Sequence, residues 1–400
     1  MNKILTFILI LMIPCIISGQ TFDIILKARV LTMSGKPEQA IELLSGAIAQ
    51  NGNDNRLFLE RAEAKQMRGD YTGAITDYTS ANSLVPNSGE YGLARIYSLK
   101  GDVSTAIFHL ERSLSSDFRK SEKEILLDLS FSVIENRPEW RQLLKKEWYS
   151  DSERRISEVE YYASKGNIVE AKSVLSGLRS DYKTDNTVLY GDALISYTEG
   201  RYSDAVVILS GLVTSDEKSE RYLRLLAKAQ TGNKNPSGAS DVYTKLLNLE
   251  IQDAGLLLSR AECYLKTGET DKASGDLERY LKINPVDKDA ISLAGRVEVA
   301  SGDNLKALSY FSKNLELHPD DPACYTDRAN AYFLSKTWDW AIKDYTMALD
   351  LNPGNSDVWL SKGISLLNSG KKVDACHDFR RSFSLGNKKA ADFISRNCIK

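Results

Sequence analysis

Residues 55–88 read NRLFLERAEAKQMRGDYTGAITDYTSANSLVPNS. On each side of Gly69-Asp70, apolar and small residues return every three or four positions, the spacing of one face of an α-helix. Gly69 suits the end of the first helix, because glycine takes the left-handed conformation that other residues resist. Ala62 and Ala74 are small where the two helices of such a hairpin would cross. Tyr78, one turn after Ala74, would fill the space beside the crossing. Pro86 stops the second helix and restarts the chain.

The pattern recurs with a fixed period, the mark of a repeat architecture. In windows of 34 residues counted from Thr21, the fifteenth position is Gly35, Gly69, Gly101, Gly166, Gly200, Gly232, Gly268, Gly302, Lys336 and Gly370. Nine glycines in ten are far above chance when only 25 of 400 residues are glycine. Five positions later stand Ala40, Ala74, Ala106, Ala171, Ala205, Ala239, Ala273, Ala307, Ala341 and Ala375, if the window of Ala239 carries a two-residue insertion around Asn235-Pro236. Four further on come Leu44, Tyr78, Leu110, Leu175, Leu209, Tyr243, Leu277, Phe311, Tyr345 and Phe379, all large and apolar. The eighth position is small: Ala28, Ala62, Ala94, Ala193, Ala261, Gly295, Ala329 and Gly363.

This set of positions resembles the tetratricopeptide repeat family. Residues 55–88 carry the likeness best, through Arg61-Ala62, Gly69-Asp70-Tyr71, Ala74-Ile75, Tyr78, Ala81 and Pro86, and residues 322–355 and 356–389 carry it nearly as well. The resemblance covers residues 21–120 as three repeats and 152–389 as seven. It implies an all-α solenoid, a right-handed superhelix of about ten helix-turn-helix repeats, with residues 390–400 as a capping helix. Residues 121–151 do not fit the window. They read as an atypical helical hairpin that continues the stack, or as a hinge or exposed aromatic surface carried by Trp140, Leu143, Leu144 and Trp148.

The first residues read as a signal peptide over 1–19. Lys3 gives a positive start, Ile4 to Ile17 is an apolar run, and Ser18-Gly19 supplies small residues for cleavage. That run is shorter than the roughly 20 residues of a spanning helix, and no other segment offers one. Export points to an oxidising compartment. Of the remaining cysteines, Cys376 and Cys398 are expected to pair, while Cys263 and Cys324, separated by a whole repeat, are expected to stay reduced.

A net charge of −2 is too balanced for an electrostatic nucleic-acid binder. Arg61, Arg260, Arg328 and Lys362 at window position 7 each share a window with an aspartate at position 23: Asp77, Asp276, Asp344 and Asp378. Matching of that kind implies contact between the two helices of one hairpin. Such pairs fix helix register or, read differently, form a charged binding strip. Some members of the family grip a peptide carboxylate with Lys at position 5 and Asn at position 9. No window here holds that pair; the nearest is Thr326 with Asn330. What remains on the expected inner face is aromatic and aliphatic, notably Tyr91, Tyr190 and Tyr222, which bind a partner or pack between hairpins.

His109, His318 and His377 have no ligand-spaced partners, and no serine elbow or phosphate loop is present. No catalytic, metal or cofactor site is therefore expected. The resemblance implies a protein-protein interaction scaffold or adaptor, placed by its leader in a bacterial cell envelope, in the periplasm or outside it. A structural part of a secretion, motility or outer-membrane assembly machine is the alternative.

Overall fold

The computed structural model describes residues 21–183 and 185–398. The expected signal peptide lies outside the described residues. The protein is an all-α helical-repeat solenoid that divides into two compact units, ending and beginning at Ala254 and Gly255. The atypical segment 121–151 lies inside the first unit.

The first unit contains α1 (residues 21–33), α2 (Pro37–Gln50), α3 (Asn55–Met67), α4 (Tyr71–Leu84), α5 (Glu90–Leu99) and α6 (Val103–Leu114). It continues with α7 (Glu122–Leu127), a single 3-10 turn at Leu129–Phe131, α8 (Pro138–Lys145), α9 (Asp151–Ser164) and α10 (Ile168–Tyr182). It ends with α11 (Asn186–Thr198), α12 (Tyr202–Ser215), α13 (Glu220–Gly232) and α14 (Pro236–Asn248). The second unit contains α15 (Gly255–Thr267), α16 (Thr270–Ile283), α17 (Lys288–Ser301), α18 (Asn304–Leu317), α19 (Pro322–Leu334), α20 (Trp338–Leu351), α21 (Ser356–Asn368), α22 (Lys372–Ser384) and α23 (Ala390–Asn397).

Each repeat hairpin closes in the same way. In α3–α4, Gly69 takes φ +84° and the Asp70 N–H reaches back to the Lys65 carbonyl at 2.9 Å. Asp70 then accepts from the Gly73 N–H at 2.9 Å, so one dipeptide ends the first helix and caps the second. One turn departs from the expectation. The sixth repeat turns at Lys234, φ +56°, and not at Gly232. The Asn235 N–H bonds the Gln230 carbonyl at 3.0 Å, as in the other hairpins. Lys234 lies five residues before Ala239, so no insertion is present. Gly232 serves close packing instead, since a Cβ there would lie 2.6 Å from the Tyr202 ring. Glycine composition drew the turn two residues too early.

The ten crossing alanines are all fully buried. Where the large residue beside the crossing is phenylalanine, the facing position 8 loses even its methyl group. A Cβ on Gly295 would come 2.3 Å from the Phe311 ring, and one on Gly363 would come 2.6 Å from Phe379. In these two hairpins the small residue makes room for the ring, as close packing requires.

Segment 121–151 continues the packing of the first unit. Ile125, Phe131, Ile134, Trp140 and Leu143 form one core with Ala94, Ala106, Leu110 and Leu114 of α5 and α6. Trp140 and Leu143 are buried, and the Trp148 indole N–H donates to the Leu143 carbonyl at 2.9 Å. Of the residues read as an aromatic surface, Trp140 and Leu143 are therefore interior, while Trp148 is half-buried against them. Its exposed apolar residues are Leu126, Leu127, Leu129, Val133 and Leu144.

At the other end of the chain, α23 covers the last hairpin. Ala390, Phe393 and Ile394 pack against Leu360, Leu366, Ala375 and Phe379. Cys376 and Cys398 form a disulfide with Cα atoms 5.5 Å apart, while Cys263 and Cys324 are free and buried. No described helix is long and apolar enough to cross a membrane.

Candidate functional site

Polar side chains of neighbouring hairpins in the first unit bond one another in local networks. One begins with Arg95 on α5. Its guanidinium bonds the Glu63 carboxylate of α3 at 2.8 and 2.9 Å and lies 3.1 Å from Asp128. The Tyr78 hydroxyl also donates to Glu63, at 2.7 Å, and the Tyr91 hydroxyl donates to Asp128 at 2.8 Å. Burial and the Asp128 carboxylate beside it push the Tyr91 phenol well above its ordinary value, so that hydroxyl keeps its proton.

Next to this network lies a cavity of about 380 Å³. The chain between α6 and α7 supplies Arg119 and Lys120, α9 supplies Glu153, Arg154 and Glu160, and α13 supplies Arg221. Local structure fixes these groups. Ser121 and Ser150 open α7 and α9 with reciprocal capping boxes whose acidic members are Glu124 and Glu153. Burial alone would raise both carboxyls, but the serine N–H and hydroxyl groups, with Lys120 and Arg119 nearby, hold them below the usual 4.5. Arg119 bonds Glu153 at 2.6 Å, and the Tyr149 hydroxyl donates to the Lys120 carbonyl at 2.6 Å. Among the described residues Arg154 has no ionic partner.

The tyrosines singled out in sequence flank this cavity. The Lys120 ammonium sits 5.9 Å from the Tyr91 ring centre on one side. On the other, Arg221 lies 4.3 Å from the Tyr190 ring and bonds Glu160 at 2.8 Å. The Tyr190 hydroxyl donates to the same carboxylate at 2.8 Å, and Tyr222 packs its ring 5.7 Å from that of Tyr190. Tyr190 is only 5% exposed, so its ring is spent on packing and on Arg221. Tyr222 and Tyr91 keep partial exposure. The inner face is therefore charged as well as aromatic, a correction to its aromatic and aliphatic reading. The opposite charges at window position 9 in two successive repeats, Glu63 and Arg95, were the overlooked signal, since those neighbouring hairpins pair through them.

Asn330, in the second unit, is exposed but accepts the Tyr345 hydroxyl proton at 2.7 Å. The four charged pairs join the two helices of their hairpins. Arg61 grips Asp77 at 2.8 and 2.7 Å, Arg260 grips Asp276 at 2.8 and 2.7 Å, and Arg328 grips Asp344 at 2.7 and 2.9 Å. Lys362 reaches Asp378 more loosely, at 3.3 Å. All four aspartates are buried, which leaves no carboxylate edge to offer a partner.

The histidines are dispersed. His109 lies 2.6 Å from Glu90 and stacks on Tyr97, His318 approaches the Val286 carbonyl, and His377 is exposed. Among the described residues no three His, Cys, Asp or Glu side chains cluster to hold a metal.

Residues 292–356, spanning most of α17 to α20, match the family model described as tetratricopeptide repeat. The hairpins of this stretch are similar to tetratricopeptide repeats. Across longer stretches, the chain is 26% identical over 302 residues to anaphase-promoting complex subunit 7 of Arabidopsis thaliana, covering 71% of this chain and 51% of that protein. It is 20% identical over 282 residues to the human PEX5-related protein, covering 68% of this chain and 44% of that one. The chain thus spans about half the length of these relatives. A crystal structure of a tetratricopeptide repeat protein from Parabacteroides merdae superposes with a TM-score of 0.49 at 20% identity, covering 61% of this chain and 97% of that one. Stacked helical repeats present side chains from successive hairpins on one face, and the cavity of the first unit is lined from α9, α13 and the chain before α7.

Proposed function

We propose that this chain is a non-catalytic scaffold or adaptor that binds partner proteins or peptides along the inner face of its first unit. One observation carries the reading. Around the cavity the charged and aromatic groups are held in place by their own neighbours, so a partner meets a preorganised surface and loses little side-chain freedom in ordering it. Arg154, Tyr222 and the solvent side of Arg221 are the groups left to meet it. Binding is the common use of stacked repeats, though a fold alone does not dictate function.

The place of work in this reading is the bacterial cell envelope, reached by export. The apolar run from Ile4 to Ile17 after Lys3 supports it, and so does the Cys376–Cys398 disulfide, a bond that persists in oxidising compartments.

Cross-linking with mass spectrometry on intact cells tests the proposal. The expected result is reproducible capture of one or a few proteins through residues 119–124, 149–160 and 221–222. Arg221→Ala and Tyr222→Ala should each cut that capture several-fold. Capture left unchanged by both would remove the inner face from the reading, and fractionation that finds the chain in the cytoplasm would remove the export.

A further inference from the structure

The end of the first unit returns to its beginning. After α14, residues 249–254 (LEIQDA) leave the helix in an irregular course, with Glu250 at φ +51°. Three arginines from three helices hold this stretch. Arg29 of α1 donates to the Gln252 main-chain carbonyl at 2.8 Å and also to its side chain, across 223 residues of sequence. Arg56 of α3 pairs with the Glu250 carboxylate, 194 residues away. Arg224 of α13 donates to Asp253 at 2.9 Å.

We infer that this arginine row is a recognition site for a non-helical, acidic peptide segment of a partner protein, and that residues 250–253 are its resident occupant. The inference rests on the scaffold reading above and names the chemistry of the partner.

Two features favour an exchangeable site over a permanent brace. First, the arginines stay positioned without the loop. Arg29 also pairs with the buried Glu60, whose carboxyl burial raises while Arg29 opposes that rise. Arg56 is also held by Asp54 at 2.8 Å, the residue that caps its own helix. Second, the occupant is held at a backbone cost. The Glu250 side chain is 39% exposed, and its backbone lies in the left-handed region, which costs a residue other than glycine. An acidic segment from another protein makes the same bonds without that backbone cost. One arginine reads a main-chain carbonyl and the others read carboxylates, so the site selects an open main chain and negative charge.

The test uses the full mature chain and a fluorescent peptide of residues 247–254, with a control peptide in which Glu250 and Asp253 are lysine. Binding is followed by anisotropy at low salt. A chain carrying E250A, Q252A and D253A is expected to bind the acidic peptide at least about tenfold more tightly than the unaltered chain, because its own occupant is gone. Adding R29A and R56A should abolish binding, and the lysine peptide should not bind. Equal affinity of the altered and unaltered chains, or binding indifferent to both arginines, overturns the inference. Hydrogen exchange on the unaltered chain gives a readout free of folding defects. Saturating peptide should speed exchange at residues 249–254, and no change there also overturns it. Failure of these assays alongside continued cross-linking through Arg221 and Tyr222 sinks the acidic-segment site alone; loss of that cross-linking sinks the scaffold reading itself.

Discussion

The hairpin α19–α20 and the segment 121–148 are both two-helix pieces, and they are built by opposite means. The hairpin carries its structure within itself. Lys336 makes the left-handed turn at φ +58°, Ala329 and Ala341 let the helices meet, and Arg328 and Asp344 lock their register. The segment has neither crossing alanine nor bidentate pair. Large side chains fill it instead: Phe131 and Trp140 pack with ring centres 5.3 Å apart, and nearly half of their shared core belongs to α5 and α6. The hairpin is specified by contacts close in sequence, whereas the segment depends on the neighbour it leans against. That dependence also explains its exposed Leu126, Leu127 and Leu129, since a segment with one supporting face leaves the other wet.

The strongest way to break this contrast is Trp140→Ala. Removing a large buried ring should cost about 3–5 kcal/mol, measured as a shift in denaturant unfolding of the first unit. A loss below about 1 kcal/mol would show that α7 and α8 hold themselves. Next comes Arg328→Ala in the hairpin. It strands Asp344, whose side chain is 3% exposed, and should cost about 3 kcal/mol, the low end for a broken buried pair because the arginine is 23% exposed. The double variant Arg328→Ala, Asp344→Ala should recover part of that loss, which a double-mutant cycle would read; full additivity would mean the pair does not set register.

Gly363→Ala sharpens the self-containment of the hairpins. The new Cβ would meet the Phe379 ring at 2.6 Å, and overpacking of that kind costs about 1–3 kcal/mol. Phe379→Leu in the same chain should relieve part of it, as measured by thermal unfolding. The smallest effect concerns acid. Glu124 and Glu153 have depressed carboxyl values in the folded chain. Their stabilisation is complete above the unfolded value of 4.5 and is lost as the pH falls through the lower folded values. Hydrogen-exchange protection at the starts of α7 and α9, relative to the intrinsic rate at each pH, should therefore fall below about pH 4.5 while α20, which no capping box opens, stays protected. Equal loss in all three helices would remove the capping boxes as the cause.

Much of the fold was legible because its contacts are short in sequence. Alanine at the crossing, the turn five residues before it and the large residue four after it are all consequences of one helix folding back on the previous one. The misreading at Gly232 has the same root. Glycine recurrence points to Gly232 as the turn, but a left-handed residue is required only at the position five before Ala239, and Lys234 accepts it. At the candidate site the tyrosines were visible and their neighbours were not. Tyr190 looked available, yet Arg221 and Glu160 consume it, and those two residues come from different hairpins whose approach no single window encodes.

By itself, then, the amino-acid order determined the helix pairs and their internal locks, because each depends on residues within one 34-residue window. Only the tertiary structure decided which charges share a cavity and that residues 250–253 meet Arg29 and Arg56. Contacts across so long a stretch of chain arise from small rotations accumulated over successive hairpins, and no periodicity in the sequence records their sum.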